Sequence, residues 1–280
     1  MRVKNFVLKG ALAPALILLL CSAASANPPA SLDRGYGHMY NLEFPEALTE
    51  FRNYQEQNFA DPVGYVSEAS CHLFSELNRL GVLEARLFSD DKNFEKRKQL
   101  SPNPIIRAEF DKALERAEMH AQEALAKDPI NKDALFAMAL SNGLKADYTA
   151  LIEKRNMASL GYTRDAGDYA EKLIKVDPTY YDGYLASGLG KYIIGSMAAP
   201  LRWMLRLGGI KGDKDGGRKE LQLTAQKGRY LKPFARLLLA VGFLRDKDKQ
   251  SARELLVGLR NDFPQNPLFG KEIARIDGGE

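Results

Sequence analysis

The stretch that decides the fold is "ERAEMHAQEALAKDPINKDALFAMA", Glu115 to Ala139. Ala117, Ala121 and Ala124 stand four and three apart, so they share one side of a helix. Small residues on that side let a second helix approach closely. Pro129 ends the first helix, because proline lacks an N–H and disfavours helical geometry in the residue before it. A second helix starts near Lys132 and folds back on the first, so the stretch reads as the joint of a tight helical pair.

The pattern recurs. Ala166, Ala170, Leu173 and Pro178 repeat its offsets in "DAGDYAEKLIKVDP", and Ala252, Leu256, Leu259 and Pro264 repeat them in "SARELLVGLRNDFP". Near the N-terminus Ala47, Phe51 and Tyr54 repeat the start, with Pro62 arriving three residues late. These offsets resemble the tetratricopeptide repeat (TPR), a helix–turn–helix unit of about 34 residues with an A-x3-F…P ending. The stretch from Pro233 to Asn266 fits a full unit without gaps: "FARLLLAVGFL", the turn "KDKQ", and a second helix ending at Pro264. Other units carry extra residues around "EARLFSDDKNFEKRKQLSPNPI", "ADYTALIEKRNMASLGYT" and "SMAAPLRWMLRLGGIKGDKDGG".

One helix pair cannot bury its apolar face alone, and stacked pairs make a continuous core. No alternating β-branched run and no Asn-Gly hairpin signal is present. The expectation is an all-α chain. The resemblance implies a right-handed solenoid of about five degenerate antiparallel pairs over residues 33–266, with "NPLFGKEIARI" opening a capping helix and tail over 267–280.

The first 26 residues read as a signal peptide. Arg2, Lys4 and Lys9 precede the apolar run "ALAPALILLLC", and Ala24-Ser25-Ala26 gives the small-x-small cleavage pattern, leaving 27–32 as a short linker. Cys21 as a lipid anchor fits less well, because Leu20 stands where such sites have a small residue. Removing the leader reduces 40 basic residues to 37 against 36 acidic ones, a net charge near +1 with no nucleic-acid footprint. The expected location is therefore the periplasm or the exterior. Cys71 is the one cysteine left, in the helical stretch "SEASCHLF", and reads as a buried structural thiol.

Catalytic and metal signatures are scarce. His38, His72 and His120 have no CxxC or HExxH companion, so neither a metal nor a cofactor is expected. Ser89-Asp90-Asp91-Lys92 matches S-x-x-K without its partner motifs, and Gly212 to Gly217 resembles only part of a calcium loop. Residues 193–210, "IIGSMAAPLRWMLRLGGI", form an amphipathic segment. Arg202 and Arg206 lie on one side, Leu201, Met204 and Leu205 on the other, and Trp203 is the chain's one tryptophan. Such a segment packs on the protein or lies on an anionic membrane surface.

TPR-like proteins bind partners on the concave face lined by the first helix of each pair. The resemblance places Asp133, Phe136, Leu140, Asp182, Leu185, Leu189, Tyr192, Phe234, Leu237 and Val241 there. That groove is apolar and aromatic, without the basic residues that clamp a terminal carboxylate. It suits an apolar or helical peptide, or one of the chain's own insertions, such as the Trp203 segment. The expected function is thus a non-enzymatic exported scaffold for a protein or peptide. The alternatives are a membrane-associated scaffold using Arg202, Trp203, Met204 and Arg206, and an enzyme with a site formed by the insertions.

Overall fold

The computed structural model describes residues 31–83, 100–197, 199–207 and 212–278. The proposed leader and most of the insertion holding Ser89 to Lys92 lie outside the described residues. Among those described the chain is all helical: α1 (Leu32–Tyr40), α2 (Phe44–Gln57), α3 (Pro62–Arg79), α4 (Pro104–Lys127), α5 (Lys132–Asp147), a π-helical turn (Tyr148–Ile152), α6 (Asn156–Val176), α7 (Gly183–Ser196), α8 (Ala199–Leu207), α9 (Lys214–Lys227), α10 (Lys232–Arg245), α11 (Lys249–Asp262) and α12 (Pro267–Gly278). Each helix packs on its neighbour in sequence, except that α7 pairs with α9 across α8. The first helices α3, α5 and α7 also pack side by side.

One turn recurs where a second helix hands over to the next pair. The N–H groups of Asn58, Asp128, Asp177, Gly228 and Phe263 donate to the carbonyls of Tyr54, Ala124, Leu173, Thr224 and Leu259, each four residues back. In four of the five, a second bond closes a tight turn, from Asp61 to Asn58 O, Asn131 to Asp128 O, Tyr180 to Asp177 O and Asn266 to Phe263 O. Counted from this turn, Phe59 occupies the place of Pro129, Pro178 and Pro264. The N-terminal unit is therefore in register, and Pro62 is not a late counterpart. It opens α3 instead, with Asp61 accepting from Val63 N as the cap.

The register extends to α9, where Gly217, Leu221 and Thr224 are buried at the same three offsets. The inward positions are Ala47 and Phe51, Ala117 and Ala121, Ala166 and Ala170, and Leu256 and Leu259, none more than 2 % exposed.

The extra residues are absorbed partly as longer helices: α4 has 24 residues, and α5 runs through the π turn before α6 begins at Asn156. The amphipathic segment 193–210 is not one helix. Its first residues end α7, the chain breaks at Met197, and α8 follows.

Candidate functional site

α1 decides what the first-helix face can do. Its buried residues Leu32, Gly35, Tyr36, Met39 and Tyr40 form a single stripe at helical spacing. Gly35 is required for close approach, because a Cβ there would stand 2.3 Å from the Phe51 ring on α2. Tyr36 stacks on Tyr230 at 5.1 Å and meets Phe51 edge-on at 5.3 Å. Ser67 Oγ on α3 is hydrogen-bonded to the Tyr36 hydroxyl at 3.0 Å and to the Val63 carbonyl at 2.7 Å. Tyr40 donates its hydroxyl proton to the Tyr230 carbonyl at 2.9 Å, and Asn266 Nδ2 donates to the Tyr40 carbonyl at 2.9 Å. Arg229 forks onto Asp33 at 2.9 and 2.7 Å. Burial pushes both phenols above their usual range. One nine-residue helix is thus tied to the second, fourth and fifth pairs at once.

The expected groove residues lie around this helix. Phe136 is 1 % exposed and packs on Tyr180 and Tyr230, and Leu140 and Leu185 are buried. Leu189, Tyr192, Phe234, Leu237 and Val241 are half-buried. Phe234 meets Phe74 edge-on at 5.3 Å. Leu237 borders a small cavity together with Met39 and Tyr40. Tyr192 lies beneath the Arg218 guanidinium. Asp133 is at the exposed end of α5, accepting from the Tyr180 hydroxyl at 3.2 Å. Phe136, Leu140 and Leu185 are therefore covered from within, with α1 closing toward them as the first helix of the first pair, and Trp203, 66 % exposed, does not fill that face.

Asp182 has a structural task. It is 4 % exposed at the head of α7, yet does not cap its own helix. Its carboxylate accepts from the backbone N–H groups of Arg229, Tyr230 and Leu231 at 3.1, 3.1 and 3.0 Å. These bonds supply the fifth turn, where the closing bond of the other four is replaced. Gly228 makes room, since a Cβ there would stand 2.7 Å from Asp182 Oδ1.

A cavity of about 80 Å³ remains between α1 and the first helices. Asp147, the last residue of α5, lies on its wall beside Gly143, Thr163, Gly190 and Ile193. Desolvation alone pushes this carboxyl up to about 7. The π turn begins at the next residue and widens the helix there. Neither α1 nor Asp147 was singled out from the sequence. The stripe in "LDRGYGHMY" was a readable signal for α1, whereas "KADYTA" carries none for Asp147.

Two further polar clusters are built around ion pairs, and in the first the buried His72 Nε2 has no hydrogen-bond partner. Burial alone would raise the Glu68 carboxyl, but neighbouring His72 and hydrogen bonds from Gln55 and Arg52 bring it down to about 2. Arg52 Nε donates to Glu68 at 2.7 Å and Gln55 Nε2 at 2.9 Å, with His72 Nε2 at 3.7 Å. Next to them Cys71 is buried, its thiol 3.6 Å from the Phe44 carbonyl and pushed up by burial. An open cleft between α4 and α6 has its charges paired internally, Arg107 with Asp111 and Glu153, and Lys145 with Glu118.

In α8, Arg202, Trp203 and Arg206 are exposed while Leu205 is buried, so tryptophan and both arginines share the outward face. Arg202 donates to the Gly195 carbonyl at 3.0 Å, and the Met204 side chain lies outside the described residues. Among the described residues no helix is long and apolar enough to cross a membrane, and no cluster of three or more His, Cys, Asp or Glu is arranged to hold a metal. Comparison with protein-family models, curated proteins and solved structures found no match to this chain.

Proposed function

We propose that this chain is an exported, non-catalytic TPR-like scaffold, a right-handed solenoid whose first-helix face receives an amphipathic helical peptide. The supporting observation is the face itself: α1, the first helix of the first pair, turns Tyr36, Met39 and Tyr40 toward the same apolar surface as Phe136, Leu140 and Leu185. The recurrent turn and the side-by-side first helices support the solenoid arrangement. The test uses the full chain with Met39→Glu, which places a charge at a site 1 % exposed and expels α1. A labelled peptide of residues 31–43 then binds the variant and not the wild type. A variant that stays folded by circular dichroism and takes up no peptide refutes the reading.

A second reading rests on α8. Trp203 is 66 % exposed between two exposed arginines, the composition of an interfacial membrane contact. Flotation with anionic vesicles tests it, and binding that survives loss of Trp203, Arg202 and Arg206 together rejects it.

A further inference from the structure

A cleft of about 760 Å³ lies between the second helices α4 and α6. Its floor is built from the buried Phe110, Leu114 and Tyr148, and Met119 and Tyr162 stand exposed on its walls. Of the nine large apolar side chains exposed among the described residues, five are on these two helices: Ile105, Met119, Met157, Tyr162 and Val176. Apolar surface without cover is therefore concentrated here.

The cleft also carries an excess of negative charge, with six carboxylates and three cations along it. The cations are all taken by pairs inside it: Arg107 with Asp111 and Glu153, Arg155 with Glu153, and Lys145 with Glu118. Glu115, Glu123 and Asp165 stand beyond those pairs. Glu115 has no partner among the described residues, Glu123 faces the His120 ring at 3.8 Å, and Asp165 pairs with its neighbour Arg164 outside the cleft. The matching cleft between α2 and α4 is balanced, three carboxylates against three cations. Of the two, the α4–α6 cleft is the one that favours a cation carried on an apolar body.

The chain exposes that complement on α8. Trp203 is 66 % exposed there, between exposed Arg202 and Arg206, and neither arginine has a carboxylate partner among the described residues. Buried Leu205 anchors the helix on its other side. Tryptophan and arginine are the residue types that most often dominate contact energy at interfaces. We propose that α8 of one copy docks in the α4–α6 cleft of a second copy, with Trp203 against the Phe110, Leu114 and Tyr148 floor and the two arginines toward Glu115 and Glu123. The cleft is about five times the engineered cavity of about 150 Å³ that takes up benzene, room for an indole and the helical turn that carries it. Donor and acceptor are different surfaces of one molecule, so the contact runs head to tail and builds open chains or a closed ring. A nine-residue helix offers less than the roughly 800 Å² per partner of a standard interface, so the Kd is on the order of 100 µM. This seat is separate from the first-helix face, and it gives α8 a protein surface in place of a lipid one.

The test is sedimentation velocity of the full chain over about 5–500 µM, together with intrinsic fluorescence, which reports Trp203 alone because the chain has one tryptophan. With rising concentration the sedimentation coefficient increases and the emission moves to shorter wavelength, and about 0.5 M salt weakens both by screening the charges. Two variants separate donor from acceptor. Arg202→Glu, Trp203→Ala and Arg206→Glu together remove the docking face and the tryptophan signal. Glu115→Lys with Glu123→Lys reverses the cleft at two exposed positions outside its internal pairs. Each variant alone loses at least about tenfold in self-affinity. Mixed in equal amounts they associate again and the emission shift returns, because Trp203 of the cleft variant enters the intact cleft of the other. The proposal is overturned by no association up to about 500 µM, or by association that the variants leave unchanged, as an apolar contact through residues 11–21 would be. Two folded variants that stay apart when mixed also overturn it. So does an emission shift that anionic vesicles produce in a chain that does not self-associate, which assigns α8 to lipid.

Discussion

Replacing Asp182 with alanine tests the account of the fifth turn. The change removes one carboxylate and leaves three backbone N–H groups without their acceptor, those of Tyr230 and Leu231 fully buried and that of Arg229 partly so. An orphaned buried donor costs about 1–3 kcal/mol, giving roughly 3–7 kcal/mol for the set with the partly buried Arg229 N–H counted at half. Relief of the carboxylate's own burial, which pushes its pKa up, returns about 1–2 kcal/mol. The expected net loss is about 3 kcal/mol, a large share of a total of about 5–15 kcal/mol. Urea unfolding followed by far-ultraviolet circular dichroism measures it, with an unchanged slope showing that the folded state is intact. Amide exchange gives the local readout: residues 229–231 lose protection first, and α1, tied to that turn through Tyr40 and Arg229, follows. Asp182→Asn keeps one acceptor oxygen but turns an NH₂ toward the same donors, so it recovers less than half of the loss. An alanine variant within about 0.5 kcal/mol of wild type would mean that water replaces the carboxylate and that the turn holds without it.

Three further outcomes follow from single groups. Gly35→Ala forces a Cβ against the Phe51 ring and costs about 1–3 kcal/mol by overpacking; the double variant with Phe51→Leu is more stable than Gly35→Ala alone in the same unfolding assay. Glu68, lowered to about 2, contributes stability that is present above its unfolded value near 4.5 and lost as pH falls toward 2. Linkage sets that contribution at no more than about 3 kcal/mol, and the half-exposed Arg52 reduces it to about 2, so the gap between wild type and Glu68→Gln narrows from pH 6 to pH 3. Asp147 has the opposite sign. With its folded value raised to about 7, its contribution is fully present below about pH 4 and lost as pH rises through 7; linkage bounds the loss at about 4 kcal/mol and the half-buried site reduces it to about 2, so Asp147→Asn matches wild type at pH 4 and exceeds it by about 2 kcal/mol at pH 8 in thermal unfolding.

The helix pairs were legible because their signal is local. Small or aliphatic residues at three fixed offsets before a turn mark each second helix, and the structure buries every one of those positions in α4, α6 and α11 except the half-buried Ala124. The fourth and fifth copies were harder to read because proline was taken as the anchor. The anchor is the hydrogen-bonded turn, which Phe59 satisfies in one copy and Asp182, a side chain 46 residues upstream of Gly228, completes in another. A long-range acceptor of that kind leaves no trace in the periodicity near residue 228. Asp147 was invisible for a related reason: its surroundings come from residues that five other helices bring to it, and sequence spacing does not record neighbours so distant in the chain.

The first-helix face shows the limit of pattern reading most clearly. Phe136, Leu140, Leu185 and Leu189 have the same stripe whether they wait for a partner or sit under one, since the hydrophobic effect does not distinguish intramolecular cover from intermolecular cover. Part of the cover is α1, the first helix of its own pair, joined to α2 by only three residues, so its local concentration at the face is on the order of 1 mM or higher. If a free copy of that helix binds the bare face with a Kd of about 1 µM, the tethered one occupies it about a thousandfold over the open state, and an outside peptide of equal intrinsic affinity binds about a thousandfold more weakly. A partner on this face therefore has to bind far more tightly than α1 does, or reach a protein in which the Arg229–Asp33, Tyr40–Tyr230 and Asn266–Tyr40 ties have been loosened first. Those three ties, rather than the apolar stripe, set the threshold for anything that competes with α1.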